Sequence, residues 1–157
     1  MDNDISIVIC YEGDFQKYKK MIDTVDVNTV SESGYSLLHD ALSSNYYSEE
    51  IVLDLINRGI DINKLDPDGA SPLEYCCEYK NLKIAKILLE KGAIVNTVDK
   101  WGNNPLWRAM HKWDHEMARL LMKYGADPNN VNKVGKTPLS AAREKGDEEM
   151  VAILSGQ

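Results

Sequence analysis

The chain has 157 residues, 43% of them hydrophobic, with 25 acidic and 18 basic side chains and a formal charge of −7. That length sustains one domain with a continuous core, and that composition is the one of a globular chain. Residues 1–65 hold 12 acids and 5 bases, whereas residues 66–157 hold 13 of each. Neither part is the basic stripe that nucleic-acid binding requires, so no nucleic-acid partner is expected, and the acidic balance either favours a basic protein partner or serves solubility alone.

Met1-Asp2-Asn3-Asp4 puts no basic region before the short apolar run Ile5–Cys10, so no signal peptide is read. No apolar stretch approaches the ~20 residues of a membrane-spanning helix. A cytoplasmic protein without membrane attachment is expected. Cys76 and Cys77 are adjacent, which does not suit an ordinary structural disulfide, and Cys10 is the only other candidate. All three read as packing residues.

In chain order, the elements come in pairs. Ile5–Glu12 predicts a first helix, Gly13-Asp14 a turn, and Phe15–Ile22 a second helix with Phe15, Tyr18, Met21 and Ile22 on one face. Gly34-Tyr35-Ser36-Leu37-Leu38-His39 opens the next pair, with Leu37 where later pairs carry proline. Asp66-Pro67-Asp68-Gly69 and Asp99-Lys100-Trp101-Gly102 read as turns in which Gly supplies a positive φ. Asn132-Lys133-Val134-Gly135 begins the last pair, which runs to Leu154 and shows Arg143, Glu144, Glu148 and Glu149 to an open end.

These elements recur with one period. Gly69, Gly102 and Gly135 are 33 residues apart, as are Gly59, Gly92 and Gly125, and Asn63, Asn96 and Asn129. Gly34 to Gly69 spans 35 residues, and the two extra fall between helices, in Ser43–Ser48. Such a loop with two tyrosines is read either as tolerated drift or as a partner contact. The segments Ser71-Pro72-Leu73-Glu74, Asn104-Pro105-Leu106-Trp107 and Thr137-Pro138-Leu139-Ser140 complete the pattern.

The period and these segments resemble the ankyrin repeat, with its Thr-Pro-Leu-His signature and 33-residue helix–turn–helix unit. The resemblance implies an all-α solenoid of five repeats in a single domain, 1–157. Its units are an N-terminal cap at 1–30, repeats at 31–65, 66–98 and 99–131, and a C-terminal cap at 132–157. Two caps around three middle repeats are expected to make a complete protein, monomeric when free. His39 occupies the family's histidine slot, where a hydrogen-bonding role beside Ser36 is implied. Glu74, Trp107 and Ser140 fill that slot later.

The fold hosts many unrelated functions, so the function has to come from the surface. No enzyme, cofactor or metal site is expected. His111, His115 and Glu116 could serve a metal-dependent hydrolase only if both histidines shared a helix, and the repeat frame puts them on different ones. The expected function is protein binding on the concave face. The partner-binding candidates are Asp66, Asp68, Lys100 and Trp101 at the turns, with Tyr75, Glu78, Tyr79, Arg108, His111 and Lys112 on the first helices. Trp101, Tyr79 and Arg108 are the expected anchors and the acids the steering charges. Trp107 and Trp113 could equally pack within the stack. A stand-alone repeat protein of this kind suits an inhibitor or an immunity protein that neutralises a basic toxin, by analogy with some bacterial ankyrin proteins. An adaptor or a kinase-inhibitor-like protein is the alternative.

Overall fold

The computed structural model describes residues 5–156, so the acidic start at residues 1–4 and the last residue of the expected C-terminal cap lie outside the described residues. The helices are α1 (Ile5–Ile7), α2 (Phe15–Ile22), α3 (Leu37–Ser43), α4 (Glu49–Asn57), α5 (Pro72–Glu78), α6 (Leu82–Glu90), α7 (Pro105–His111), α8 (His115–Lys123), α9 (Pro138–Lys145) and α10 (Glu148–Leu154). Among the described residues there is no longer strand pairing than one isolated bridge, Val30 with Ser36. The fold is of the all-α repeat class that the period predicts.

Local chemistry starts each helix. Ser36, Ser71, Asn104 and Thr137 cap α3, α5, α7 and α9 by accepting the N–H of His39, Glu74, Trp107 and Ser140. Each cap satisfies a donor that helix geometry would otherwise strand, worth about 1 kcal/mol. Pro72, Pro105 and Pro138 occupy the first helical position, where a missing N–H costs nothing. The second helices α4, α6, α8 and α10 are capped in the same way by Ser48, Asn81, Asp114 and Asp147.

The chain divides into two compact units, Met1–Pro67 and Asp68–Gln157. In the first unit α3 packs on α4, and α2 packs on α4. Val8, Ile9, Ile22, Leu37, Leu38, Val52 and Leu55 form its core. Tyr18 is fully buried there, and its hydroxyl donates to Asp54 Oδ2 at 2.9 Å. Arg58 closes the network, with Nε 2.5 Å from Asp54 Oδ2 and Nη1 2.7 Å from Asp23 Oδ1.

The expected first helix is only partly α-helical. Val8–Glu12 is a π-helical turn, and Gly13 N–H donates to the Val8 carbonyl, five residues back, at 2.9 Å. A π turn takes more residues per revolution, so the column register slips. Ile9 stays buried, but Cys10 is only half-buried where its column mates Leu42, Cys77 and Met110 are buried. The two-residue insertion has a structural task here. Ser44 Oγ donates to the Cys10 carbonyl at 2.9 Å, and Tyr46 lies so close to Gly13 that a Cβ on Gly13 would stand 2.3 Å from the Tyr46 carbonyl oxygen.

In the second unit α5 packs on α6 and α7, α7 on α8 and α9, and α8 on α10. Leu73, Ile84, Leu88, Leu106, Met117, Leu121 and Met150 are buried in its core, each contributing ~1.5–3 kcal/mol of apolar burial. Its turns are linked by backbone hydrogen bonds. Lys100 N–H donates to the Asp68 carbonyl at 2.6 Å, and Lys133 N–H, one period on, donates to the Trp101 carbonyl at 2.8 Å. Gly102 (φ 80°) permits this approach, since a Cβ there would lie 3.2 Å from Asn132 Cα. The asparagine column is explained too: Asn96 Oδ1 accepts the Asp127 N–H at 2.9 Å, and Asn28 Oδ1 accepts the Asp61 N–H at 2.8 Å.

Candidate protein-binding surface

The helix period places residues three and four apart on one face. On α5, α7 and α9 this gives three rows: Tyr75, Arg108 and Ala141; Glu78, His111 and Glu144; and Tyr79, Lys112 and Lys145. Tyr79 follows α5 and is 55% exposed, with its ring 6.4 Å from that of Tyr75. Trp101, at a turn tip, is 48% exposed, and Lys100 Nζ lies 4.4 Å over its ring while pairing with Asp68 Oδ1 at 2.8 Å. Asp68, Tyr75, Glu78, Tyr79, Lys100, Trp101, Arg108, His111 and Lys112 all belong to the second unit.

Arg108 is committed internally. Its guanidinium donates to Asp99 Oδ2 at 3.2 Å and lies 3.7 Å from Glu78 Oε2 and 3.9 Å from Glu74 Oε2. Glu74 and Asp99 are buried, so Arg108 offsets the charge of two desolvated carboxylates. Asp99 in turn accepts the N–H groups of Trp101 and Asn103, both at 2.9 Å. Arg108 therefore holds the shape of the Trp101 turn from beneath. Lys112 Nζ is 2.5 Å from Glu78 Oε1, which completes this charge network.

Asp66 differs from its expected place. It is in the first unit, and at 8% exposure it is buried rather than a charge on a rim. It shares the column of Asp99, whose carboxylate accepts the N–H groups of its own turn.

The two histidines separate as the frame predicts. His111 ends α7 with its ring stacked 5.5 Å from the Trp107 ring, while His115 begins α8 and its Nε2 lies 3.0 Å from Asp147 Oδ2. Burial lowers the His111 pKa from its ordinary 6.5, and Lys145 and Arg108 lower it further. Among the described residues no group of three or more His, Cys, Asp or Glu could hold a metal ion. Burial also drives the Cys76 and Cys77 thiols well above their ordinary pKa, which keeps them protonated and poor as nucleophiles.

The sequence left Trp113 undecided, and the structure resolves it. Trp113 is 50% exposed and has φ 54°. Its column holds Gly13 (φ 60°), Lys80 (φ 55°) and Gly146 (φ 68°), so the α7–α8 turn demands a left-handed residue there. A side chain in that region costs ~1 kcal/mol or more against glycine. Two glycines in one column were the available signal, hidden by the different residues between them. Lys145 Nζ sits 5.5 Å over the Trp113 ring.

A family model described as ankyrin repeats in three copies matches residues 6–99 and again 94–157. The chain belongs to the ankyrin-repeat family. Over 47 residues it is also 40% identical to "Ankyrin repeat and LEM domain-containing protein 1 homolog" of Caenorhabditis elegans, a match covering 30% of this chain and 7% of that relative. Ankyrin repeats are protein-interaction modules, and the family is typically non-enzymatic. Among the described residues no helix is long and apolar enough to cross a membrane.

Within the ankyrin frame, the histidine slot follows the family once. Ser36 Oγ and His39 Nδ1 are 2.8 Å apart, and both backbone N–H groups of the capping box are engaged. Thr137 and Ser140 rebuild the box without histidine. Trp107 does not: it is 3% exposed, and its indole N–H has no acceptor among the described residues. That slot in the α7 repeat gives up a hydrogen bond for ring stacking on His111.

Proposed function

We propose that this ankyrin-repeat protein binds one protein partner through the inner helix rows and turn tips of its second unit, and that it inhibits or neutralises that partner by covering its surface. The observation that carries this reading is the pair of half-exposed aromatics, Tyr79 and Trp101, on a frame of fixed charges. Aromatic residues on a rigid support bring large contact area at little entropic cost, and such residues dominate interface energetics. Asp68, Glu78, Lys100, Lys112, Tyr75 and His111 surround them as positioned polar groups. Arg108 supports the site instead of anchoring the partner.

The strongly acidic first unit, with 13 acids and 5 bases, favours a basic surface elsewhere on the partner. Three cysteines outside any disulfide fit a reducing compartment such as the cytoplasm.

The test is capture of the partner on the tagged full chain, followed by titration of variants. Tyr79→Ala and Trp101→Ala should each weaken binding by about thirty-fold, the equivalent of ~2 kcal/mol, with unchanged melting temperature. Parent-like affinity in both variants would place the site elsewhere and sink this reading.

A further inference from the structure

We propose that Trp113 and Lys145 form the receptor for an acidic segment of the partner, with an apolar side chain of that segment seated on the indole and its carboxylate on the Lys145 ammonium. This deepens the binding function proposed above and rests on it.

Three independent observations meet at this patch. First, Trp113 occupies a left-handed turn position that Gly13 and Gly146 fill without strain and that Lys80 shares, so a large ring stands where glycine would fit at lower cost. The turn requires that conformation, and a bulky residue in it is the kind of outlier that clusters at binding sites. Second, half of that ring remains exposed, although a tryptophan serving only the core would be covered, as Trp107 is. Third, the cation beside it is uncommitted. Lys100 has Asp68, Lys112 has Glu78, Arg108 has Asp99, and Lys136 has Glu144. Among the described residues Lys145 has no carboxylate partner, only the Trp113 ring 5.5 Å away.

The sign of the local charge selects the occupant. The second unit carries 12 acids and 13 bases, against 13 and 5 in the first. Arg108 beside the patch is already paired with Asp99 and lies near Glu78 and Glu74, so the charge left without a counter-ion at the patch is the Lys145 ammonium. A basic segment would meet an uncompensated ammonium; an acidic one supplies its missing partner. The lysine already over the indole keeps its place when a carboxylate arrives, so little reordering is needed.

The experiment uses the full chain and three labelled short synthetic peptides, read by fluorescence anisotropy. One is rich in Glu, Phe and Leu, one replaces every Glu by Lys, and one replaces the apolar residues by Ser. The first should bind, with affinity that falls as salt rises, and the other two should bind at least about tenfold more weakly. Lys145→Glu and Trp113→Gly should each cost about tenfold or more, and Trp113→Gly should raise the melting temperature by relieving the turn.

Equal binding of acidic and basic peptides, no binding of any peptide, or parent-like binding by Trp113→Gly would overturn the proposal. So would a lowered melting temperature in Trp113→Gly, which would make the ring a structural element. Concentration-dependent dimerisation abolished by Trp113→Gly would assign the patch to a second copy of the chain instead. A captured partner lost on Tyr79→Ala or Trp101→Ala but indifferent to Trp113→Gly and Lys145→Glu would leave the proposed function standing and remove this inference. If none of the four changes matters, both fall.

Discussion

The two units solve the same repeat problem with different bonds. In the second, each turn donates a backbone N–H to the previous one, from Lys100 to Asp68 and from Lys133 to Trp101, and every first helix starts on proline. In the first, Pro67 stands in the Lys100 column and has no N–H to give, and Leu37 replaces the helix-starting proline. Its helices are tied by side chains: Tyr18, Asp54, Arg58 and Asp23 link α2 to α4, and the lengthened loop leans on Gly13. Backbone links repeat with the period and tolerate sequence change. Side-chain links are local and fail when one member is lost.

The largest test of that contrast is Asp54→Ala. It strands the buried Tyr18 hydroxyl and leaves Arg58 with Asp23 alone, which should cost about 3 kcal/mol. The loss should be confined to the first unit. All three tryptophans, Trp101, Trp107 and Trp113, lie in the second, so urea unfolding followed by circular dichroism should shift while tryptophan fluorescence does not. Coincident shifts in both signals would show that the side-chain network also supports the second unit.

Next in size is Gly13→Ala. The new methyl would collide with the Tyr46 carbonyl, and the backbone there is left-handed, so about 2 kcal/mol of destabilisation is expected in the same dichroism experiment. A parent-like midpoint would mean that the loop yields freely and that Tyr46 is not held by the first turn.

A smaller effect should follow from making the second unit resemble the first. Lys100→Pro copies Pro67 and removes the N–H that reaches Asp68, at a cost of about 1 kcal/mol in the fluorescence-detected midpoint. Lys100→Ala keeps that N–H and loses only the exposed pair with Asp68, so it should fall between the parent and the proline variant.

The smallest predicted effect is a pH slope. Because His111 has its pKa lowered in the folded chain, the unfolded chain takes up a proton first as pH falls through 6.5. Stability from this residue is therefore fully present above that pH and declines below it, towards the lowered folded value. His111→Phe should flatten this part of the fluorescence-detected profile, while an unchanged slope would assign it to another group.

The period of 33 residues, with its turn glycines, asparagines and Pro-Leu helix starts, was enough to determine the helix pairs from α3 onward and the separation of His111 from His115, but not the π turn at Val8–Glu12. Those features depend on local geometry: a positive φ, a capped first turn, an apolar helix face. The insertion was legible as two residues in Ser43–Ser48, but its resting place on Gly13 was not, because that contact joins loops far apart in sequence. The site was legible as a set of columns, and Tyr79 and Trp101 are exposed as expected. What the columns could not supply was the commitment of each side chain. Arg108 is occupied by Glu74, Glu78 and Asp99 and Asp66 is buried, although their columns place both among partner-facing positions, and Lys145 is left without a carboxylate. Periodicity fixes which face a residue shares, whereas its charge partners come from neighbouring repeats and from the turns beneath, and only the packed structure brings those together.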